Sequence, residues 1–432
     1  MLTDILHGAL IAMVAVAATI GVLFVTRGTA LRRVRGVSAG GAPVAPCEPE
    51  FAVTVAMLTG GTLLPGTRAE LALNGDGTFK RLWADLRSAE RFITLQMYYA
   101  GPGRVANELA EILAERVRAG VRVLFLYDAF GVSDLPRAYW RALREAGVRA
   151  VPFRPLRFRN LWVIQNRAHI RGIVVDGRVG WTGGFGIDDK WLGDGRTPSP
   201  GGRDGWRETN VRIEGPAIRQ LQAAFAAAWA EATGDLISGS FVNTRLEGGL
   251  AAAGVLATAP TLGSTSAERL LALSVAGARE RLYITNAYFA PDRAFTGLLV
   301  KAAERGVDVR VLVGGPRTDV RAARLAARAR YDQLLSGGVR VYEYQPTTLH
   351  AKTFVVGSVW ASVGTMNFDN RSLALNDEVT LVVLDRDFAR QLEDTFHDDL
   401  GQAEEIDLAT FRARPLLARV AEWGANQVAP LL

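Results

Sequence analysis

Apolar side chains fill one continuous stretch near the start of the chain. Residues 5–25 give 21 consecutive positions without a charged side chain, and only His7 and Thr19 among them are notably polar. A helix of this length is about long enough to cross a bilayer core of about 30 Å. The pattern predicts one N-terminal transmembrane helix at residues 5–25.

The charges around this stretch predict its orientation. A cleaved signal peptide normally begins with basic residues, whereas residues 1–4 contain an acid and no base. Four arginines follow the apolar stretch instead: Arg27, Arg32, Arg33 and Arg35. Under the positive-inside rule they stay in the cytoplasm, which predicts a single-pass anchor in the cell membrane with a cytoplasmic catalytic portion. A signal peptide and a buried helix remain the alternatives.

After a linker at residues 26–50, the chain repeats one pattern of apolar and polar positions. Residues 91–100 and 281–290 are apolar runs rich in β-forming residues and end in paired aromatics, which is typical of buried strands. Each run is followed by apolar positions at helical spacing, a glycine that predicts the helix end, and another strand. These segments are residues 109–119, Gly120 and residues 121–127 in the first copy, and residues 298–305, Gly306 and residues 307–313 in the second.

This alternation predicts an α/β fold. Strand, helix, strand and helix in succession indicate βαβ units on a sheet rich in parallel strands, with helices outside. An internal repeat of this length predicts two similar domains related by a pseudo-twofold axis. We place the first domain at residues 51–235 and the second, with a C-terminal tail, at residues 267–432. The connecting segment, residues 236–266, is rich in small and polar residues.

Composition narrows the class of protein. A chain of 432 residues exceeds the usual size of a single core, and 49% hydrophobic with 22% charged residues indicates a folded protein. The formal charge of +6 favours anionic partners, either phospholipid surfaces or nucleic acid. A single cysteine, Cys47, excludes an internal disulfide and a multi-thiolate metal site.

Histidine is rare, yet one histidine motif occurs twice. The first copy has His169 and Arg171 before an apolar run that ends at Asp176, and Gly183, Gly184 and Gly186 follow. The second copy has His350 and Lys352 before an apolar run that ends at Gly357, and Gly364, Thr365 and Asn367 follow. Residues i and i+2 of a strand share a face, so each histidine is expected beside its cation. The small residues let backbone approach an anion closely.

A carboxylate opens the next apolar strand in each copy, Glu208 in the first and Glu378 in the second. The combination fits phosphoryl transfer, which needs fixed cations near phosphate oxygens, a nucleophile and an acid for the leaving alcohol. A carboxylate behind an imidazole fixes its tautomer and stabilises its cationic form. Neither copy is complete alone, since the chemistry needs two histidines.

The duplicated motif resembles the HKD motif of the phospholipase D superfamily over roughly residue 53 to the C-terminus. The resemblance implies two phospholipase D-like domains with one site between them, a phosphohistidine intermediate, and no metal or cofactor. The segments from Asn367 to Ser372 and from Leu375 to Glu378 are similar to the bacterial cardiolipin synthase branch. The resemblance to the superfamily implies catalytic roles for His169, His350, Arg171, Lys352, Glu208 and Glu378. It also implies substrate contacts for Asn367, Gly183, Gly184, Gly364 and Thr365, and a structural role for Asp176. The family's usual division of labour makes His169 the nucleophile and His350 the acid.

Three positions depart from the family pattern. Arg171 replaces a lysine, which keeps the charge but exchanges a compact ammonium for a planar fork. Gly186 replaces an asparagine and removes one side-chain donor. Gly357 replaces the aspartate of the second copy.

The sequence therefore predicts a membrane-bound phosphatidyltransferase that makes cardiolipin from two phosphatidylglycerols. The alternatives are a phospholipase D or other phosphodiesterase that hydrolyses phospholipid or nucleic acid, and a catalytically impaired lipid-binding pseudo-enzyme. The anchor favours an anionic phospholipid and a membrane as partners and disfavours nucleic acid. Residues 153–162, which mix arginines with aromatics, form either an ordinary surface loop or a rim that contacts the bilayer. The tail at residues 408–432 forms either a packed helix or an interfacial one. The oligomeric state stays open.

Overall fold

The computed structural model describes residues 43–155, 166–198, 205–241, 243, 248–261 and 263–429, together with isolated residues between positions 7 and 35. The predicted anchor at residues 5–25 lies largely outside these described residues. Among the residues described, no helix is both long and apolar enough to span a membrane.

Helices and strands alternate along the chain as the sequence pattern predicts. Up to residue 258 the elements are α1 (Phe51–Thr59), β1 (Leu64–Leu73), α2 (Asn74–Arg87), β2 (Phe92–Met97), α3 (Arg104–Arg118), β3 (Arg122–Asp128), α4 (Arg137–Glu145), β4 (Arg149–Phe153), β5 (Arg171–Val175), β6 (Val179–Gly183), β7 (Thr209–Glu214), α5 (Ile218–Thr233) and β8 (Ala251–Thr258). A short 3-10 helix, Asp189–Trp191, precedes β7, and another, Gly239–Phe241, follows α5.

The second part of the chain repeats this order. Its elements are α6 (Ser266–Gly277), β9 (Arg281–Asn286), α7 (Arg293–Glu304), β10 (Asp308–Gly314), α8 (Arg321–Arg328), α9 (Tyr331–Ser336), β11 (Arg340–Tyr344), β12 (Lys352–Val356), β13 (Trp360–Gly364), a π-helix (Arg371–Leu375), β14 (Glu378–Leu384), α10 (Arg386–Leu400), β15 (Ala403–Glu405), α11 (Leu408–Arg412) and α12 (Leu416–Val428). The helix-ending glycines Gly120 and Gly306 adopt φ of 89° and 88°, a region that favours glycine.

All the described strands belong to one continuous sheet. The central pair is β8 and β1. Outward from β1 the order is β7, β6, β5, β2, β3, β4, and outward from β8 it is β14, β13, β12, β9, β10, β11, with β15 added at that edge. The spatial order of the strands therefore repeats on the two sides of the centre, as the elements repeat along the chain.

The prediction of a sheet rich in parallel strands is wrong. Among the described strands, parallel pairing is confined to β2–β3–β4 and β9–β10–β11, while the remaining pairs are antiparallel. The strands that follow each histidine turn back at once, at Asp176-Gly177 and at Gly357-Ser358, where every φ is positive. Three residues separate the paired strand ends in each copy, and turns this short join antiparallel strands only.

Helices cover both faces of the sheet. On one face, Leu221 of α5 and Leu392 of α10 belong to a single apolar core that joins both halves of the chain. On the other face, separate cores form beneath α2, α3 and α4 in the first half and beneath α1, α6, α7 and α9 in the second. The shared core holds the two halves against each other where their histidine segments meet.

Candidate active site

Both histidines lie at the same place in their respective halves. His169 precedes β5, whose first residue pairs with Met97 at the end of β2. His350 precedes β12, whose first residue pairs with Asn286 at the end of β9. The site thus forms at the carboxyl ends of the first strand of each βαβ unit.

Each histidine contacts a glutamate from the opposite half of the chain. The Nδ1 atom of His169 lies 3.0 and 2.9 Å from the two carboxylate oxygens of Glu378. The Nδ1 atom of His350 lies 2.6 Å from Oε2 of Glu208. All four side chains are buried. A position behind a histidine was predicted for both glutamates, but the repeat could not show that the pairs cross between the halves.

Short backbone bridges between the halves produce this crossed pairing. Ala168 forms an isolated parallel bridge with Asp377, so the residue before His169 lies beside the residue before Glu378. Arg207 forms the equivalent bridge with Leu349, and the His350 amide donates to the Arg207 carbonyl at 2.8 Å. A buried ion pair at 2.7 Å fixes Arg207 to Asp399 of α10. Main-chain contacts across the centre of the molecule therefore place each glutamate beside the histidine of the opposite half.

Two cationic side chains accompany the histidines. Nη1 of Arg171 lies 3.0 Å from Nε2 of His169, and the Lys352 ammonium donates to the His350 carbonyl. Burial lowers the pKa of Lys352 to about 7 and lowers the pKa of Arg171. Among the described residues no cluster of three or more His, Cys, Asp or Glu side chains could hold a metal ion.

Burial shifts the pKa of every ionisable group of the two pairs. Desolvation, followed by the charges of Arg171 and Lys352, lowers the pKa of both histidines well below the usual value. Desolvation raises the pKa of Glu208 to about 7 and that of Glu378 to about 8. Carboxyl groups with a pKa of about 7 or 8 exchange protons readily near neutral pH, which general acid–base chemistry requires.

The small-residue turns lie directly against the glutamates. A Cβ atom on Gly184 would approach the Glu208 carboxylate oxygens to 2.4 and 2.5 Å, and one on Gly364 would approach the Val379 carbonyl to 2.5 Å. Gly183 has φ of 139° and lies against Asn210. Thr365 donates through its hydroxyl to Glu378. Gly184 is thus small because the Glu208 carboxylate leaves no space, and Gly364 because the backbone of β14 leaves none.

Asn367 is buried beside these turns. Its loop is held by Asn286, whose side-chain oxygen accepts from the Phe368 amide at 3.0 Å. The side-chain oxygen of Asn367 has no hydrogen-bond partner among the described residues. Asn367 therefore has hydrogen-bonding capacity left for a ligand.

The departures at Gly186 and Gly357 have different structural settings. Trp191 fills the space beside Gly186, where a Cβ atom would lie 2.5 Å from the indole ring. The same indole donates to Glu208 at 3.2 Å, so a tryptophan supplies a donor on the side where an asparagine is missing. Asp176 accepts from the amides of Arg91 and Phe92 at 2.8 Å, away from the histidines. Its counterpart Gly357 is in open space.

Aromatic residues form walls around both histidines. Tyr98 contacts the edge of His169 at 4.8 Å between ring centres, and Tyr288 contacts His350 at 6.0 Å. Trp191 and Trp206 also contact His350, at 5.5 and 5.1 Å. Neither tryptophan was predicted as a site residue, because both lie in residues 191–206, a segment that differs in length between the two copies and so falls outside the repeat. Most of the arginine-rich segment at residues 153–162 lies outside the described residues.

Comparison with known proteins agrees with this geometry. Residues 273–400 match the family described as "Cardiolipin synthase, PLD-like domain". A cardiolipin synthase of Geobacillus kaustophilus (strain HTA426) is 36% identical over 363 residues, which cover 83% of this chain and 71% of that protein. Cardiolipin synthase A of Pseudomonas putida (strain GB-1) is 34% identical over 370 residues, which cover 85% and 76%.

A solved structure has the same fold. The phosphatidylserine synthase of Haemophilus influenzae Rd KW20 superposes with a TM-score of 0.62 over 86% of this chain and 97% of that chain. The sequence identity is 14%, so this similarity concerns the fold alone.

Proposed function

The chain belongs to the cardiolipin synthase family of phospholipase D-like proteins, and from that premise we propose that it transfers a phosphatidyl group between two phosphatidylglycerols, giving cardiolipin and glycerol. The observation that carries the proposal is the convergence of two buried histidine–glutamate pairs, each built from both halves of the chain, with Arg171 and Lys352 beside them.

The first step forms a phosphohistidine. Nε2 of His169 attacks the phosphorus of one phosphatidylglycerol and forms a P–N bond, while the P–O bond to the headgroup glycerol breaks. His350 gives its proton to the departing glycerol oxygen. Arg171 and Lys352 stabilise the charge on the phosphate oxygens, and the Asn367 side-chain oxygen accepts a hydrogen bond from a substrate hydroxyl. The phosphate's own negative charge raises the pKa of both histidines from the low values that burial gives them.

The second step reverses these roles. His350, now neutral, takes the proton from the primary hydroxyl of a second phosphatidylglycerol. That oxygen attacks phosphorus, the P–N bond breaks, and His169 is restored. The balance is two phosphatidylglycerols consumed for one cardiolipin and one glycerol.

The contact between Arg171 and His169 supports His169 as the nucleophile. A guanidinium only donates hydrogen bonds, so Nε2 of His169 accepts from Arg171 through its lone pair and carries no proton. The ring proton then resides on Nδ1, facing Glu378. This is the protonation state that a nucleophile requires. His350 has no such donor against Nε2 among the described residues.

The proposal includes two similar domains, residues 51–235 and 267–432, related by a pseudo-twofold axis. The repeated strand order on the two sides of β1 and β8 supports it. Such symmetry serves the reaction, because two equivalent histidine segments then face one phosphorus atom from opposite sides.

We further propose that the enzyme is held at the cell membrane by the anchor at residues 5–25, with its catalytic part in the cytoplasm. The apolar stretch and the arginines that follow it support this location.

The C-terminal helix α12 presents its apolar side outward. Its buried contact is polar, since Glu422 pairs with Arg328 at 3.0 Å and with Arg414 at 2.8 Å. The exposed side chains are apolar: Leu416, Leu417, Val420 and Trp423. Arg419 beside them and Arg317 and Arg321 at the start of α8 are exposed as well. An apolar face with basic neighbours suits an anionic bilayer surface, which is where the substrate resides.

Lipid analysis in cells tests the proposed function. The full chain is expressed in bacteria that lack cardiolipin, and total lipids are measured by mass spectrometry. We expect cardiolipin to appear with the unaltered chain and to be absent with His169→Ala or His350→Ala. Phosphatidic acid without cardiolipin would mean that the enzyme hydrolyses phospholipid, and no lipid change would contradict both activities.

A further inference from the structure

A third cation, Lys190, lies next to the site and takes no part in the mechanism described above. It belongs to the short helix Asp189–Trp191, where its amide donates to the Asp188 carboxylate at 2.9 Å. The Trp206 amide donates to the Lys190 carbonyl at 3.0 Å, which fixes the backbone. The position of Lys190 is therefore set by its main chain rather than by its charge.

The Lys190 ammonium is surrounded by aromatic rings. Its nitrogen lies 3.5 Å from the ring centre of Tyr99, 4.9 Å from that of Trp191 and 4.6 Å from that of Trp206. Aromatic faces attract a cation but accept no strong hydrogen bond from it. The same two tryptophans contact His350, so the ammonium is separated from that histidine by one layer of indole rings.

Nearby carboxylates are already engaged with other donors. Asp188 accepts from the Lys190 amide, and Asp319 accepts from the Tyr288 hydroxyl. Asp134 is hydrogen-bonded to Tyr99, and Asp189 accepts from the amides at the start of α3. Among the described residues Lys190 forms no ion pair. Asp188, Asp319 and Asp134 favour the charged ammonium from a distance, but none of these three occupies its N–H groups, which stay available to the oxygens of an anionic ligand.

The proposed reaction brings two phosphates to the site. Arg171 and Lys352 stabilise one of them, the phosphate that is attacked. The acceptor phosphatidylglycerol attacks through its terminal hydroxyl, and five bonds separate that oxygen from its own phosphorus, on the order of 6 Å when extended. A second anion so near the phosphohistidine requires a cation of its own. Lys190 contacts the same two tryptophans as His350 and is a cation available for that second anion.

We propose that Lys190 binds the phosphate of the acceptor phospholipid and thereby favours a phospholipid over water or free glycerol as acceptor. This rests on the proposed function, since it assigns the second substrate of the same site. Tyr99, Trp191 and Trp206 hold the ammonium and restrict the entry of water.

The test measures how the phosphatidyl group is divided among three acceptors. The full-length enzyme receives vesicles containing phosphatidylglycerol in buffer with deuterated glycerol. Mass spectrometry then measures cardiolipin, phosphatidic acid, and phosphatidylglycerol that has acquired deuterium. Only the first of these products needs an acceptor with a phosphate.

Lys190→Met keeps the length of the side chain and removes the charge. We expect the ratio of cardiolipin to the other two products to fall about tenfold or more, the scale of one lost charge-assisted contact. Lys190→Arg should keep the ratio within a few fold. The control Lys301→Met, at an exposed position on α7, should leave the ratio unchanged.

The outcomes separate the two proposals. An unchanged ratio in Lys190→Met, or an equal loss of all three products, overturns the assignment of Lys190 while the unaltered enzyme still makes cardiolipin. Absence of cardiolipin with the unaltered enzyme overturns the proposed function itself.

Discussion

At the scale of single residues, the site depends on two carboxylates that burial holds close to neutral pKa. Glu208 and Glu378 each contact Nδ1 of a histidine, and each is packed against a small-residue turn. Their charge favours the imidazolium form that the reaction passes through. Burying that charge is costly, so these residues favour catalysis at the expense of stability.

Glu208→Gln and Glu378→Gln should each lower kcat roughly 10²- to 10⁴-fold, because size is kept while the charge behind the histidine is lost. Both native carboxylates have a pKa raised above that of an unfolded chain, so the folded state loses stability as pH rises towards 7 and 8. The variants should therefore unfold at pH 8 at a denaturant concentration no lower than the unaltered enzyme. Glu304→Gln, at an exposed position on α7, is the control. Near-normal turnover in either glutamine variant would assign these glutamates to structure alone.

The charge of Lys352 should control part of the pH dependence. Its pKa of about 7 means that the ammonium is present below that pH and lost above it. We expect kcat/KM to fall as pH rises through about 7, because the free enzyme loses a phosphate-binding cation. In Lys352→Arg, which stays charged, this fall should move to higher pH even though activity is reduced by the altered geometry. An unchanged midpoint would assign the fall to the Glu208–His350 pair, whose carboxyl group titrates in the same range.

At the scale of elements, the repeat made much of the fold predictable. The strands at residues 92–97 and 281–286 and the helices that end before Gly120 and Gly306 follow directly from apolar periodicity. Antiparallel pairing of the strands after each histidine was missed because the alternation of strands and helices was extended past the histidines, although an Asp-Gly pair such as Asp176-Gly177 is a strong hairpin signal. Trp191 and Trp206 were missed because they lie in a segment that the second copy does not share.

For helix α12, the sequence could not show which side of the helix packs against the rest of the protein. Periodicity identified its apolar face, yet only the ion pairs of Glu422 show that this helix packs through its polar side. Packing direction depends on partners far away in sequence, such as Arg328, which periodicity within the helix does not reveal.

Insertion of α12 into lipid can be measured with a fluorophore. Because Cys47 is the sole cysteine, Cys47→Ser allows a single label at Leu417→Cys or, as a control, at the exposed Gln391→Cys on α10. In vesicles rich in anionic lipid, brominated acyl chains should quench the label at position 417 at least about twofold more than the label at position 391. Equal quenching at both positions would show that α12 stays in water.

At the scale of the whole molecule, the two halves depend on each other. Each histidine receives its glutamate from the opposite half, and the bridges Ala168–Asp377 and Arg207–Leu349 enforce the exchange. Sequence could identify all the participants because the motif is duplicated. It could not predict the crossing, which arises only when the two halves of the sheet join through β1 and β8.

The most direct test of the account separates its two chemical steps with an activated substrate. A phosphatidyl ester of 4-nitrophenol needs no acid to expel its leaving group, so the His350→Ala variant should still form the phosphohistidine. The second step should be blocked, because no base remains to activate the acceptor. We predict a burst of one equivalent of nitrophenolate per His350→Ala enzyme, with the phosphatidyl group recovered on the peptide containing His169, and no burst from His169→Ala. A burst from His169→Ala, or a label on His350 in that variant, would contradict the assignment of His169 as the nucleophile.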